Sequence, residues 1–256
     1  VRTPAALALT VVVGLTGCAA NGTESPGGQA TEELRVQVLE TLPHDTGAFT
    51  QGLELDGGTL YEGTGLAGKS ALRAGPLGQP PVTEIPLPSP LFGEGITVTG
   101  SSVWQLTWQD GFAIEYDKAT LTERRRVPYE GEGWGICQQD SGRLVMSDGS
   151  AELTFRDPVT FAETGSVSVG RDKLNELECV GDSVYANVWQ TDEILRIGPD
   201  GAITGRVDAS GLLSAQERGN ADVLNGIAAV PGTDEFLLTG KLWPKMFRVR
   251  FVPAAP

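Results

Sequence analysis

Glu94 stands between two glycines in FGEG, Phe92 to Gly95. Four other residues hold the equivalent place in four similar segments: Gln51 in TQGLELDGGTLYEGTG, Trp134 in GWGICQQDSGRLVMSDG, Asn175 in NELECVGDSVYANVW and Asn225 in NGIAAVPGTDEFLLTGK. A second set closes the next apolar run of its segment: Trp108 in QLTW, Asp148 in SDG, Trp189 in ANVW and Lys241 in TGK. Brought together, these residues make a pocket with aromatic walls, one acid–base group, several carboxamides and one ammonium. A concave apolar wall with few convergent polar groups is the usual form of a ligand site. Glu94 and Lys241 on one rim would equip it for proton transfer. The flanking glycines are expected to let the backbone turn tightly and leave Glu94 accessible. Taken singly, each residue has a plainer role. Tryptophans pack between sheets, Asn and Asp bond their own backbone in turns, and a lysine offsets a nearby acid. The shared offset is what those plainer roles do not predict.

The elements that must position these groups follow from the same alignment. Each segment has a short apolar run, a tight turn rich in Gly, Asp or Ser, and a second run, and the anchors recur at intervals of about 40–50 residues, the spacing of four-stranded propeller blades. Two further strands complete each unit: KSALRAG and VTEIPL, FAIEYD and ERRRVPY, ELTFRD and TGSVSV, EILRIG and ITGRVD. The fifth unit has only GIAAV, EFLLTG and KMFRVRF. ELRVQVLETL, Glu33 to Leu42, alternates Leu34, Val36 and Val38 and belongs to no unit. It is expected to supply the missing outermost strand and close the ring, leaving no open edge. The expected fold is therefore all-β, a five-bladed propeller of four-stranded antiparallel blades. The longer gap before Asn225, ASGLLSAQERGNADV, is an insertion expected to form a short helix or a lid.

Composition agrees. The 256 residues are 40% hydrophobic and 20% charged, with 34 glycines and 16 prolines. That suits short strands joined by turns. The net charge of −14 argues against nucleic acid, which needs a concentrated basic face. The run Arg124–Arg126 falls on an outer strand. The single histidine, His44 in LPHDTG, reads as a surface turn residue. A His-based triad or zinc site would have to use it. No cofactor and no metal are expected.

Residues 1–17 read as a leader: Arg2 precedes an apolar run, Ala5 to Leu15, too short to span a membrane comfortably. LTGC, Leu15 to Cys18, resembles a bacterial lipobox, which implies cleavage before Cys18 and lipidation of its thiol. Residues 18–33 are then a polar tether, and 34–252 the folded domain. The expected location is the bacterial cell envelope, outside the cytoplasm, with the membrane touched only through the lipid at Cys18. A monomer is expected. Cys137 and Cys179 fall three and four residues past their anchors, so their parity places them on opposing faces of neighbouring blades. Outside the cytoplasm a disulfide between them is permitted. The alternative is two buried free thiols.

FTQGL, FGEGI, QLTW, EGWG, SDGS, LNELE, ANVW, LNGIA and TGKLWPKMF, in this order from about Leu34 to Phe251, resemble the motif series of the plant and bacterial glutaminyl cyclases. The resemblance implies a five-bladed propeller that cyclises N-terminal glutamine of peptides or proteins to pyroglutamate and releases ammonia without metal. It further implies Glu94 as the proton-transfer residue, and pocket roles for Gln51, Trp108, Trp134, Asn175, Trp189 and Lys241. Asn175 and Lys241 are the candidate donors to the oxyanion, and Asn225 is taken with Gln51 and the tryptophans as substrate-binding. Two other readings stand beside this one. A lactonase-like propeller would hold calcium on Glu94, Asn175, Asn225 and Asp148, since calcium takes oxygen ligands. A non-catalytic propeller at the cell surface would use the same pocket for binding alone.

Overall fold

The computed structural model describes Val1 and residues 30–254. The expected leader, Cys18 and most of the tether lie outside the described residues. Nearly all the secondary structure is β. The chain forms four antiparallel strands in succession, four times over. The first group is β2 (Thr50–Asp56), β3 (Thr59–Thr64), β4 (Ala71–Pro76) and β5 (Thr83–Pro86). The second is β6 (Gly93–Thr99), β7 (Ser102–Thr107), β8 (Phe112–Asp117) and β9 (Glu123–Pro128). The third is β10 (Ile136–Gln138), β11 (Leu144–Ser147), β12 (Glu152–Arg156) and β13 (Glu163–Ser168). The fourth is β14 (Leu174–Val180), β15 (Ser183–Val188), β16 (Glu193–Ile197) and β17 (Ile203–Asp208).

The last three strands are β18 (Leu224–Ala229), β19 (Glu235–Gly240) and β20 (Lys245–Pro253), and β1 (Glu32–Pro43) lies antiparallel on β20. The N-terminal strand therefore is the outer strand of the last group. Its first residues also pair in parallel with β17, Glu32 opposite Gly205 and Arg35 opposite Asp208. Through this junction the last two groups form one eight-stranded sheet, whereas the other three remain separate four-stranded sheets. The first strands of the groups pack side by side: β2 on β6, β6 on β10, β10 on β14, β14 on β18, and β18 back on β2.

Burial follows this order. All of β7 is buried and so is β6 apart from its last residue, while β9 is almost wholly exposed. An inner strand covered on both faces can carry an apolar run without alternation. The outer strand carries charge instead: Arg124 pairs with Asp117, Arg125 with Glu115 and Arg126 with Glu123. These surface pairs blunt the sheet edge. Cys137 and Cys179 are joined, with Cα atoms 5.4 Å apart, tying β10 to β14.

Polar groups also enter the centre. Glu176, on β14, accepts from the Leu53 N–H at 3.1 Å and from the Ile227 N–H at 2.8 Å, so one carboxyl links three inner strands. Glu54 accepts from the Val98 N–H at 2.9 Å. The insertion contains the short helix α1 (Ala215–Arg218), started by a Ser214–Glu217 capping box.

His44 is not the surface residue expected from its turn. Its side chain is only 5% exposed, held between the Trp243 carbonyl at 2.8 Å and Glu62 at 3.1 Å. Two ring nitrogens with two partners make burial acceptable. Burial works to lower its pKa, but Glu62, the Trp243 carbonyl and Asp45 together raise it above the usual 6.5.

Candidate active site

The anchors sit at irregularities in the inner strands. Pairing shifts register between Thr50 and Gly52, between Gly93 and Ile96, between Leu174 and Leu177, and between Leu224 and Ile227. Gln51, Glu94, Asn175 and Asn225 each fall inside one of these bulges. A bulge inserts a residue that the partner strand does not match, and so re-aims its side chain. Trp134 comes two residues before β10 and donates its backbone N–H to the Ser147 carbonyl. For four of the five anchors the common offset of the sequence segments is thus a common backbone defect.

The glycines beside Glu94 do not form an open turn, and the carboxyl is not accessible as expected: Glu94 is 4% exposed. Gly93 and Gly95 lie within β6. A Cβ on Gly95 would stand 2.7 Å from the Trp134 carbonyl oxygen and from the Gly135 Cα. Its N–H donates to that same carbonyl at 2.8 Å. Glycine is required here because two inner strands approach more closely than a side chain allows.

Glu94 opens into a cavity of about 440 Å³ lined by Phe49, Gln51, Phe92, Trp108, Trp134, Asn175, Trp189, Gln190, Asp222, Val223 and Lys241. The Gln51 amide donates to Glu94 at 2.8 Å. Lys241 is 5% exposed, and its ammonium lies 4.8 Å from the Phe49 ring centre. The insertion fixes it: Lys241 N–H donates to the Val223 carbonyl at 3.0 Å, and Asp222 N–H to the Lys241 carbonyl at 2.8 Å. The side-chain oxygen of Asn175 is buried with no hydrogen-bond partner among the described residues.

Two expected rim residues stand elsewhere. Asp148 is exposed and accepts from the Ser150 N–H at 2.9 Å, as a turn former does. Asn225 is fully buried and lies behind the cavity wall, donating to Gln51 at 3.1 Å and to the Thr50 carbonyl at 3.0 Å.

The aromatic wall is continuous in part. Phe49 meets Phe92, Phe92 meets Trp108, and Trp134 meets Trp189, each edge to face, the last pair 5.5 Å apart. Between Trp108 and Trp134 the link is Glu132. One of its oxygens accepts both indole N–H groups, at 2.7 and 2.9 Å, and the other accepts from Gln109. Phe49, Phe92, Glu132, Gln190, Asp222 and Val223 were not singled out by sequence. The two phenylalanines open the quoted motifs FTQGL and FGEGI, two residues before Gln51 and Glu94, which is the signal that was there to read.

The charges are shifted by this setting. Burial drives the Glu94 pKa well above the usual carboxylate value; Lys241 opposes the rise and Glu132 adds to it. Burial lowers Lys241, against the attraction of Glu94 and Asp222. Burial also acts to raise Glu132, but its hydrogen bonds from Gln109, Trp134 and Trp108 outweigh it and hold that carboxyl below its ordinary value. A carboxyl and an amine moved toward each other in pKa, in one apolar cavity, suit proton exchange near neutral pH.

The family model for glutamine cyclotransferase matches residues 8–251. The chain belongs to the glutamine cyclotransferase family. It is 39% identical over 234 residues to the glutaminyl-peptide cyclotransferase of Arabidopsis thaliana, covering 86% of this chain and 72% of that protein. Among solved structures it resembles Myxococcus xanthus glutaminyl cyclase, with a TM-score of 0.79 and 37% identity over 88% of this chain and 100% of that one. Kuenenia stuttgartiensis hydrazine synthase, at 14% identity and a TM-score of 0.50 over 77% of this chain and 56% of its own, shares the fold alone. In this cyclotransferase chain a second hollow, about 390 Å³, is lined by Pro43, His44, Glu62, Arg73, Pro80 and Met246 among others. Its charged groups are already paired with one another, His44 with Glu62 and Arg73 with Asp45 and Glu84. The chemistry left free to meet a substrate lies in the Glu94 cavity.

Proposed function

We propose that this chain cyclises the N-terminal glutamine of peptides and proteins to pyroglutamate, releasing ammonia, with Glu94 carrying the proton and no metal taking part. The observation that carries this reading is Glu94 itself, a buried carboxyl of raised pKa facing an indole-lined cavity that also holds Lys241. Family membership and the activity named for the Arabidopsis and Myxococcus relatives support it.

The substrate's α-ammonium, which in a free peptide titrates at roughly 7.7–8.0, must lose a proton before it can attack. A carboxylate of ordinary pKa is a poor acceptor for that proton. Raised by burial, Glu94 comes closer to a match. It takes the proton, and the neutral amine attacks the γ-carbonyl carbon. The new C–N bond closes the five-membered ring and pushes an electron pair onto oxygen. Lys241 and the Asn175 amide are the donors for that oxyanion, each such contact being worth roughly 2.7–4 kcal/mol. Collapse of the intermediate breaks the bond to the amide nitrogen, which leaves as ammonia with the proton Glu94 returns. The vacated carboxylate takes the second proton, which the ring nitrogen sheds as it becomes the lactam N–H, and passes it to ammonia or solvent.

Gln51 orients the carboxyl through its 2.8 Å bond. The unpartnered Asn175 oxygen offers an acceptor to a substrate N–H. Trp108, Trp134 and Trp189 exclude water and hold the glutamine side chain in its curled reactive form. Asn225 serves from behind the wall rather than by touching substrate.

We read the ring of strands as a five-bladed propeller. Two features support this: the eight-stranded sheet divides into antiparallel groups of four at the parallel β17–β1 junction, and the inner strands pack in a closed circuit. We further propose a leader over residues 1–17, lipidation at Cys18, a tether that gives way to β1 at Glu32 rather than after residue 33, and a monomeric catalytic domain from there to about residue 252 in the bacterial cell envelope, outside the cytoplasm.

The test is ammonia release from glutaminyl dipeptides, with and without chelator. Release that survives the chelator is expected. Release abolished by chelator and restored by calcium would favour the lactonase-like site, although the exposed turn residue Asp148 removes one of its four oxygen ligands. Binding without release would leave a recognition module.

A further inference from the structure

We propose that Asn225 is a positioning residue that fixes which end of the Gln51 amide faces Glu94, and thereby favours the ionised carboxylate. The proposal rests on the reading of Glu94 as the proton carrier. Hydrogen-bond polarity sets the order, beginning at a group with no choice. The Thr50 carbonyl has no hydrogen and can only accept. Asn225 lies 3.0 Å from it and must present its NH2 there. The same NH2 reaches the Gln51 side chain at 3.1 Å, so Gln51 must answer with its oxygen. The other end of Gln51, its NH2, is then the end that meets Glu94 at 2.8 Å. Each link forces the next.

Rotating either amide breaks the chain. If Asn225 turned over, its oxygen would face the Thr50 carbonyl oxygen. If Gln51 turned over, its NH2 would face that of Asn225, while its oxygen would face Glu94. That second arrangement suits only a protonated Glu94, which has a hydrogen to give. Asn225 makes it costly, because all three side chains are almost fully buried and water is not at hand to satisfy a stranded group. The structure also leaves the Asn225 oxygen without a partner among the described residues. The residue is held for its donors alone. A hydrogen bond given to a carboxylate favours the charged form, so this lock opposes the burial that drives Glu94 toward its neutral form.

The other charged groups around Glu94 stand outside the lock. Lys241 and Asp222 line the same cavity, Glu132 accepts from the Trp134 indole, and Tyr129, whose pKa is pushed up to about 12, stays neutral near pH 7. On the far side of Thr50, Glu62 accepts from the Thr50 hydroxyl at 2.7 Å and pairs with His44. None of these contacts involves the Asn225 side chain.

The test is Asn225→Leu, which keeps the bulk and removes the donors. With Gln51 free to turn, the acid limb of kcat/KM is expected to move to higher pH by about 1–2 pH units. At pH 6 kcat/KM should fall about tenfold or more, with little change at pH 9. Gln51→Leu should do the same, and the double variant should be no worse than either single one. Should Asn225→Leu not fold, Asn225→Ala removes the same donors from a smaller side chain. The titration of Glu94 by NMR with glutamate labelled at the carboxyl carbon, identified by its loss in Glu94→Gln, reads the same shift without turnover. An unmoved titration in a folded Asn225 variant, or additive losses in the double variant, would overturn the proposal. A wild-type protein that releases no ammonia but shows the shift would instead sink the assigned activity and leave the lock standing.

Discussion

The ammonium of Lys241 lies 4.8 Å from the centre of the Phe49 ring, and no carboxylate among the described residues comes within ion-pairing distance of it. A buried cation against an aromatic face retains hydrogen-bonding capacity for an incoming group. Lys241→Met keeps the length of the side chain and removes the charge. It is expected to lower kcat on a glutaminyl dipeptide by about 10²–10³ with a smaller change in KM, the pattern of a donor that acts mainly on the oxyanion. Steady-state kinetics check this. An unchanged kcat with raised KM would make Lys241 a ground-state binder.

Glu94→Gln should leave a folded protein with cyclisation lowered by about 10² or more. Because burial disfavours a charge at this site, the variant should also melt higher than wild type at pH 8. Turnover near the wild-type rate would remove Glu94 from the mechanism.

Glu132 bears on binding more than on chemistry. Glu132→Ala frees both indole N–H groups at once, and Trp108 and Trp134 lose the carboxylate that spaces them. KM should rise several-fold with kcat less affected, and tryptophan emission should shift. Unaltered KM would mean that the indoles are held by their packing.

The centre of the ring carries further acids that burial raises: Glu54, to about 7, and Glu176 and Glu178, each well above the ordinary value. The folded state then holds protons that the unfolded chain releases, and stability falls as pH rises through that window. The melting temperature should drop by several degrees between about pH 5 and pH 8. Glu54→Gln should flatten the part of this slope that ends near pH 7. A melting temperature that climbs over the same range would contradict the sign.

The disulfide closes a loop with a sequence separation of 42. Replacing Cys137 and Cys179 together by alanine should cost about 2–4 kcal/mol of stability, seen in denaturant melts. Activity at low temperature should persist, since neither sulfur lines the cavity. No loss of stability would mean that strain in the native state cancels the gain.

Much of this was legible in the chain, and the limits have physical causes. The strands could be found because turn residues and apolar runs recur in step, and Glu94, Gln51, Trp134 and Asn175 because they share one place in that recurrence. Asn225 shares it too, yet faces a neighbour instead of the cavity: repeat position fixes where a side chain leaves the backbone, not what stands in front of it. Asp148 kept its turn-forming role because its unit carries it outward. Glu132 falls between strands, where no periodicity reports on it. His44 looked exposed because a turn usually is, and only the distant Glu62 and Trp243 enclose it. The glycines signalled an open backbone, but their reason lies in the next sheet, which sequence spacing does not show.

The pairing of β1 with β20 has a practical consequence. Leu34 lies opposite Pro253, so those two places in the chain are already neighbours. A few added residues could join Pro253 to the start of β1 as an ordinary hairpin, with new termini cut in the turn after Pro43. Such a circular permutant would synthesise every described sheet from consecutive strands, and the cup around Glu94 would no longer wait for β1 to be captured by β20.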